Sequence, residues 1–145
     1  MSRRLRQAIF ASIAIASGVP VAQASGSLAE LPVESTKPVA VTEYRTAAEL
    51  AARGSSPIDI ALAVAGPFEG ATQHVIQANE GSEAPTATRV TVLRDGLLDD
   101  SVRGERWDIT LQRTAAGVWS IKEVKRAWRC RRGGQPNSFA ANRCP

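Results

Sequence analysis

Apolar residues follow three different rhythms along this chain, and each rhythm predicts a different kind of segment. From Ala8 to Val21 they run almost unbroken, between Thr46 and Gly66 they recur near the helical period, and from Gln73 onward they alternate with polar residues. The alternation is clearest from Glu105 to Arg113, where Trp107, Ile109 and Leu111 share one face and Arg106, Asp108, Thr110 and Gln112 the other. That is the signature of an antiparallel strand with one wet side. Ala87 to Arg94 predicts a second strand, with Val90 and Val92 opposite Thr91 and Leu93, and Gln73 to Ala78 a weaker one. Thr114-Ala115-Ala116-Gly117 predicts a hairpin connection with glycine at the position that needs positive φ. In the strand that follows, Val118 to Cys130, Trp119 and Ile121 fall on one parity and Val124 and Trp128 on the other. A bulge near Lys122-Glu123 would return both sets to the core side; the alternative is a second apolar cluster beneath the C-terminal loop.

The helical stretch divides in two. Thr46-Ala47-Ala48-Glu49 has the form of a capping box, and Gly54 ends the short helix it opens. Ser56 is then an N-cap, with Pro57 at the first helical position and Asp59 at the positive end of the dipole, and Gly66-Pro67 is the stop. Ile58, Leu62 and Ala65 are read as the stripe that meets the sheet, with Ala61 and Val64 beside it. Residues 25–45, with Pro32 and Pro38 and no period, read as an extended, flexible leader. The expected fold is α+β: one or two N-terminal helices packed on a curved antiparallel meander of three to four strands, closed by a C-terminal disulfide loop.

The unbroken apolar run changes the setting. Arg3, Arg4 and Arg6 precede it, Gly18 and Pro20 interrupt its end, and Ala22-Gln23-Ala24 supplies a small-x-small site. Residues 1–24 therefore read as a secretory signal peptide cleaved before Ser25, too short and too broken for a membrane anchor. No cysteine follows the site to carry a lipid, and Arg6-Gln7 stand where a twin-arginine signal prefers apolar residues. Residues 46–145 then form a single domain, secreted or periplasmic, with no membrane span after cleavage. Of the 18 basic residues, the three signal arginines account for most of the net charge of +4, leaving 15 against 14 acidic. That near-balance argues against a nucleic-acid partner. The charge is polarised: Ser25 to Ile121 holds 8 basic and 13 acidic residues, Lys122 to Pro145 holds 7 and 1.

Cys130 and Cys144 are the two cysteines. In an oxidising compartment they are expected to pair; with one distant histidine they cannot complete a zinc site, and they are too far apart in sequence for a redox pair. His74, the one histidine, has no partner at a catalytic spacing and reads as a surface or edge-strand residue. Asp95, Asp99 and Asp100 lack the alternate ligands and closing glutamate of a calcium loop and read as turn formers. No catalytic, cofactor or metal motif is found. The suggestive group is Arg126, Trp128, Arg129, Arg131 and Arg132, with Arg143: guanidinium groups beside an indole suit phosphate or carboxylate, although a solvated basic rim has the same composition.

The order Gly96-Leu97-Leu98-Asp99-Asp100-Ser101-Val102-Arg103-Gly104-Glu105-Arg106-Trp107, then Trp119-Ser120-Ile121, then Trp128-Arg129-Cys130 with Gly133 and a closing Cys144, resembles a family of small exported bacterial proteins of uncharacterised function. The resemblance covers about half the mature chain, from Arg89 onward. Relatives carry a histidine after the glycines where this chain has Gly134-Gln135-Pro136. It implies a bacterial envelope protein with a C-terminal disulfide and brings no catalytic residues. The element order is similar to cystatin-like and nuclear-transport-factor-like folds, a likeness of pattern that does not by itself assign activity. The expected function is a non-enzymatic binding or accessory domain of the cell envelope, its partner an anionic envelope component or a protein. The alternatives are a small-molecule or enzymatic site on the concave face of the sheet and, more remotely, a protease inhibitor. Oligomeric state is left open.

Overall fold

A computed structural model describes residues 27–81, 83–133 and 136–145; the expected signal peptide, its cleavage site and Gly134-Gln135 lie outside the described residues. In chain order the elements are β1 (Lys37–Val39), α1 (Arg45–Ala52), α2 (Pro57–Ala65), β2 (Thr72–Glu80), β3 (Ala87–Asp95), β4 (Val102–Arg113) and β5 (Trp119–Cys130). Single 3-10 turns at Leu28–Glu30 and Val41–Glu43 flank β1. The class is α+β, and the sheet has five antiparallel strands in the order β1-β5-β4-β3-β2, more than the three or four expected.

The extra strand comes from the segment read as a free leader. Lys37–Val39 pairs with Val124–Arg126, Val33 bridges Phe139, and the Phe139 N–H donates to the Pro32 carbonyl at 2.9 Å. An irregular, proline-containing stretch has no local signal for this; the order is supplied by the edge of β5 and by the C-terminal tail. That tail carries Phe139 into the sheet face opposite the helices, where it is fully buried with Leu93 and Ala127 and flanked by Leu28 and Leu31. The Cys130–Cys144 disulfide closes the tail onto β5. On the loop-entropy model a closed loop of this length stabilises by about 3 kcal/mol.

Both helices form where expected, with two differences. The Thr46–Glu49 capping box is not made: the turn at Val41–Glu43 runs directly into α1, Tyr44 becomes the N-cap without a side-chain bond, and Thr46 falls inside the first turn. In α2, Ser56 Oγ accepts the Asp59 N–H at 3.2 Å as expected, and Gly66 (φ 71°) ends the helix. The buried stripe is Pro57, Ile60, Ala61, Val64 and Ala65: Ala61, Val64 and Ala65 face the core as expected, whereas Ile58 is 38% exposed, Leu62 is only partly buried and Ile60 takes the central place. A helix that is apolar on most sides offers more than one stripe, and packing against α1 and β3 selects among them.

The bulge in β5 is present. Thr110 faces Glu123 and Leu111 faces Ile121, so Lys122 is the extra residue, and Val124 returns to the helix side opposite Ile109. The helix side of the sheet is then filled at its centre by Ile60, Val64, Val92, Trp107, Ile109, Leu111 and Val124. No helix among the described residues is long and apolar enough to cross a membrane.

Two outcomes test this architecture. Phe139→Ala should lower the unfolding free energy by about 3–5 kcal/mol in urea titrations with the disulfide intact; a loss below about 1 kcal/mol would show that the tail is not part of the core. The Asp99 carboxylate accepts the Val102 N–H at 2.6 Å and the Ser101 N–H at 2.8 Å, and these bonds hold its pKa below the ordinary value. A carboxylate depressed in the folded state stabilises at pH above its unfolded value, and that contribution is lost as pH falls through the folded one. Stability of Asp99→Asn, measured from neutral to acidic pH, should therefore fall less steeply than that of the natural chain.

Candidate functional site

Past the apolar centre, the same face of the sheet turns polar at one end. Arg94 of β3 lies on the parity of Val90 and Val92, Glu105 of β4 on that of Trp107, and Arg126 and Trp128 of β5 follow Val124 after the bulge. Glu105 links the two arginines, with Oε1 3.1 Å from Arg94 Nη1 and Oε2 2.6 Å from Arg126 Nη2. All of Arg94 is consumed in holding structure. Nη1 donates to the carbonyls of Ala65 (2.7 Å) and Pro67 (3.1 Å), Nη2 to that of Gly66 (2.6 Å), and Nε to Gln73 Oε1 (2.8 Å). These carbonyls cluster at the negative end of α2, where a cation is favoured.

Arg126 is held differently. Its guanidinium carbon lies 4.2 Å from the Trp107 ring centroid and 4.9 Å from that of Trp128, and Arg143 lies 5.9 Å from Trp128. Tyr44 meets Trp107 edge-on at 6.1 Å. The two indoles and the Glu105 contact hold the Arg126 guanidinium in place. Among the described residues two buried donors in this cluster, Trp107 Nε1 and Arg126 Nε, have no acceptor.

Beside Arg126 opens a pocket of about 210 Å³, lined by Lys37, Glu43, Tyr44, Trp128 and Arg143 together with Pro38, Val39 and Ala40. Each cation reaches it by a separate device. Lys37 is brought by its register with Arg126, Arg126 by the bulge, and Arg143 by the disulfide at its neighbour Cys144. Among the described residues neither Lys37 nor Arg143 has a carboxylate within 4.0 Å. Burial, then the nearby Glu43 carboxylate, raises the Tyr44 phenol above its ordinary pKa, with Arg126 opposing. Tyr44 is therefore a neutral hydroxyl at physiological pH.

The expected arginine group is thus split by strand parity. Arg126 and Trp128 meet in the pocket with Arg143. Arg129 points to the opposite face, where Nε donates to the Pro136 carbonyl and Nη1 pairs with Asp95 at 3.0 Å. Arg131 donates to the carbonyls of Leu97 (2.6 Å) and Asp99 (2.8 Å) and clamps the β3–β4 loop. Arg132 is exposed beyond β5. Asp95 and Asp99 are turned to Arg129 and Arg103 and to backbone N–H groups respectively, while Asp100 is exposed. His74 lies on β2, lining a shallow cavity of about 390 Å³ with Asp95, Arg103, Arg129 and the turn at Leu28. Lys37, Glu43 and Tyr44 all fall in the segment read as a leader, and they come to Arg126 through the β1–β5 pairing, the turn at Val41–Glu43 and the packing of Tyr44 on Trp107. Comparison with protein-family models, with curated proteins and with solved structures finds no match to this chain.

Proposed function

We propose that this chain is an exported, non-enzymatic binding domain of the bacterial cell envelope, and that it takes a phosphate or carboxylate group in the pocket between β1, β5 and the C-terminal tail. One observation carries the reading: Lys37, Arg126 and Arg143, from three distant parts of the chain, converge on a single small pocket in which Glu43 is the one lining acid. Glu105 does not offset them fully, since it is shared with Arg94. A prepositioned guanidinium, a second one near the same indole and a neutral phenol donor suit a compact anion. Burial keeps the Tyr44 phenol protonated, so it can donate a hydrogen bond to that anion.

The Cys130–Cys144 bond fits an oxidising, non-cytoplasmic setting, in agreement with the secretory signal read from residues 1–24. The centre of the sheet's helix side is packed with side chains, which weighs against the alternative of an enzyme-like site there. The pocket at its end is open, polar and cationic.

The test is equilibrium binding of the mature chain to vesicles containing anionic lipid, with zwitterionic vesicles as the control, and to soluble phosphorylated and uronic sugars. Lys37→Gln and Arg143→Gln should each weaken binding about fivefold, the equivalent of about 1 kcal/mol for one partly exposed charge contact, and flatten its salt dependence. Arg132→Gln should leave both unchanged. Binding that keeps its strength and salt dependence in the Lys37→Gln, Arg143→Gln double variant would overturn the assignment.

A further inference from the structure

A second opening lies on the helix side of the sheet, beyond the packed centre and next to the β4–β5 turn. Its volume is about 310 Å³, and Ala48, Ala51 and Ala52 of α1 face Val118, Trp119 and Ile121 across it. The gap has a cause in the sequence. The three alanines stand three and four residues apart, on one face of α1, and each side chain stops at Cβ. α1 packs on β5, so short side chains in a row leave a space where longer ones would meet Trp119 and Ile121. At one end the walls touch: a Cβ built on Gly54, just past α1, would stand 3.8 Å from Val118 Cγ1. Trp119 and Ile121 are half-buried against the core. Of the two polar residues in the wall, Ser120 spends its hydroxyl on the Gln112 carbonyl at 3.2 Å, and Thr114 is exposed. No charged residue lines the space.

One cation stands beside it. Arg113 is the cross-strand partner of Trp119, with its guanidinium carbon 5.8 Å from the indole centroid and Nε donating to the Gly117 carbonyl at 2.9 Å. Among the described residues Arg113 has no carboxylate within 4.0 Å, and its two terminal nitrogens make no hydrogen bond. We infer that this pocket binds a straight-chain carboxylate, with the hydrocarbon tail between α1 and Trp119 and the head on Arg113. Apolar walls select a hydrocarbon, and a guanidinium with both terminal nitrogens unspent selects a carboxylate, which it meets with two parallel bonds. This site is separate from the cationic pocket at Arg126, with which it shares no lining residue. The N-terminus of the mature chain does not reach it. Ser27 lies beside Thr72 and His74, where the strands align with Gly104, whereas the pocket aligns with Arg113 at the far end of β4, about 30 Å away. The residues that precede Ser27 after the expected cleavage, Ser25 and Gly26, span about 7 Å at most. An apolar side chain of another protein is the competing occupant, and it has no need of the charge at Arg113.

The test is isothermal titration calorimetry of the mature chain with straight-chain carboxylates from hexanoate to dodecanoate, below their micellar concentrations, and with decanol as the uncharged counterpart. Affinity should rise about threefold to fourfold with each added methylene and level off once the gap is full. Replacing both Ala48→Leu and Ala52→Leu fills the gap with a good helix former. Decanoate should then bind roughly tenfold more weakly or worse, while urea unfolding stays at the same midpoint or moves higher. Arg113→Gln should weaken decanoate about fivefold and leave decanol unchanged. The Lys37→Gln, Arg143→Gln double variant should bind decanoate as the natural chain does, which keeps this result independent of the anion pocket. Absence of saturable binding across the series overturns the inference. So does an affinity that climbs without levelling, an outcome that needs no variant. Decanoate binding that survives the paired leucines, that ignores Arg113→Gln, or that disappears with Lys37 and Arg143 overturns it equally.

Discussion

The polar end of this domain depends on one carboxylate shared between two arginines. Glu105 is almost fully buried, and a buried carboxylate is tolerated only where cations and hydrogen bonds replace its water. Arg94 supplies one side and in doing so gathers the carbonyls at the end of α2, which fixes how the helical layer sits over β3 and β4. Arg126 supplies the other side and is thereby aligned between Trp107 and Trp128. Fold and site share this element. The interaction that seats α2 also leaves the guanidinium bordering the pocket rigid and partly exposed. Removing one member of a buried ionic set is far more damaging than replacing the whole set by apolar residues, so the three residues act as a unit.

Much of the sheet was legible because its signals are local. The period-two alternation of β4 places Trp107, Ile109 and Leu111 inward without reference to any neighbour. Gly117 marks the hairpin, and the broken parity of β5 points to the bulge at Lys122. Ser56-Pro57 marks the start of α2 for the same reason. What was not legible depends on partners distant in sequence. β1 has neither length nor alternation and becomes a strand only against β5. The buried stripe of α2 is chosen by α1 and β3. The arginine-rich end looked like one group in sequence, yet the strand sends Arg126 and Arg129 to opposite faces, and Arg129 and Arg131 are used in holding loops. Arg143 stays in the site because the disulfide holds its neighbour, and Lys37 joins because it is the register partner of Arg126.

The path of the chain has a kinetic consequence. Lys37–Val39 pairs with Val124–Arg126, Val33 with Phe139, and Cys130 with Cys144, so the first and last described segments close the domain together. Such contacts give a high contact order and make the final closure slow relative to local hairpins. A polypeptide delivered N-terminus first cannot complete this sheet until its last residues emerge. Until β5 and the tail are present, the segment before α1 has no partner to order it, so the two ends of the domain are ordered together or not at all.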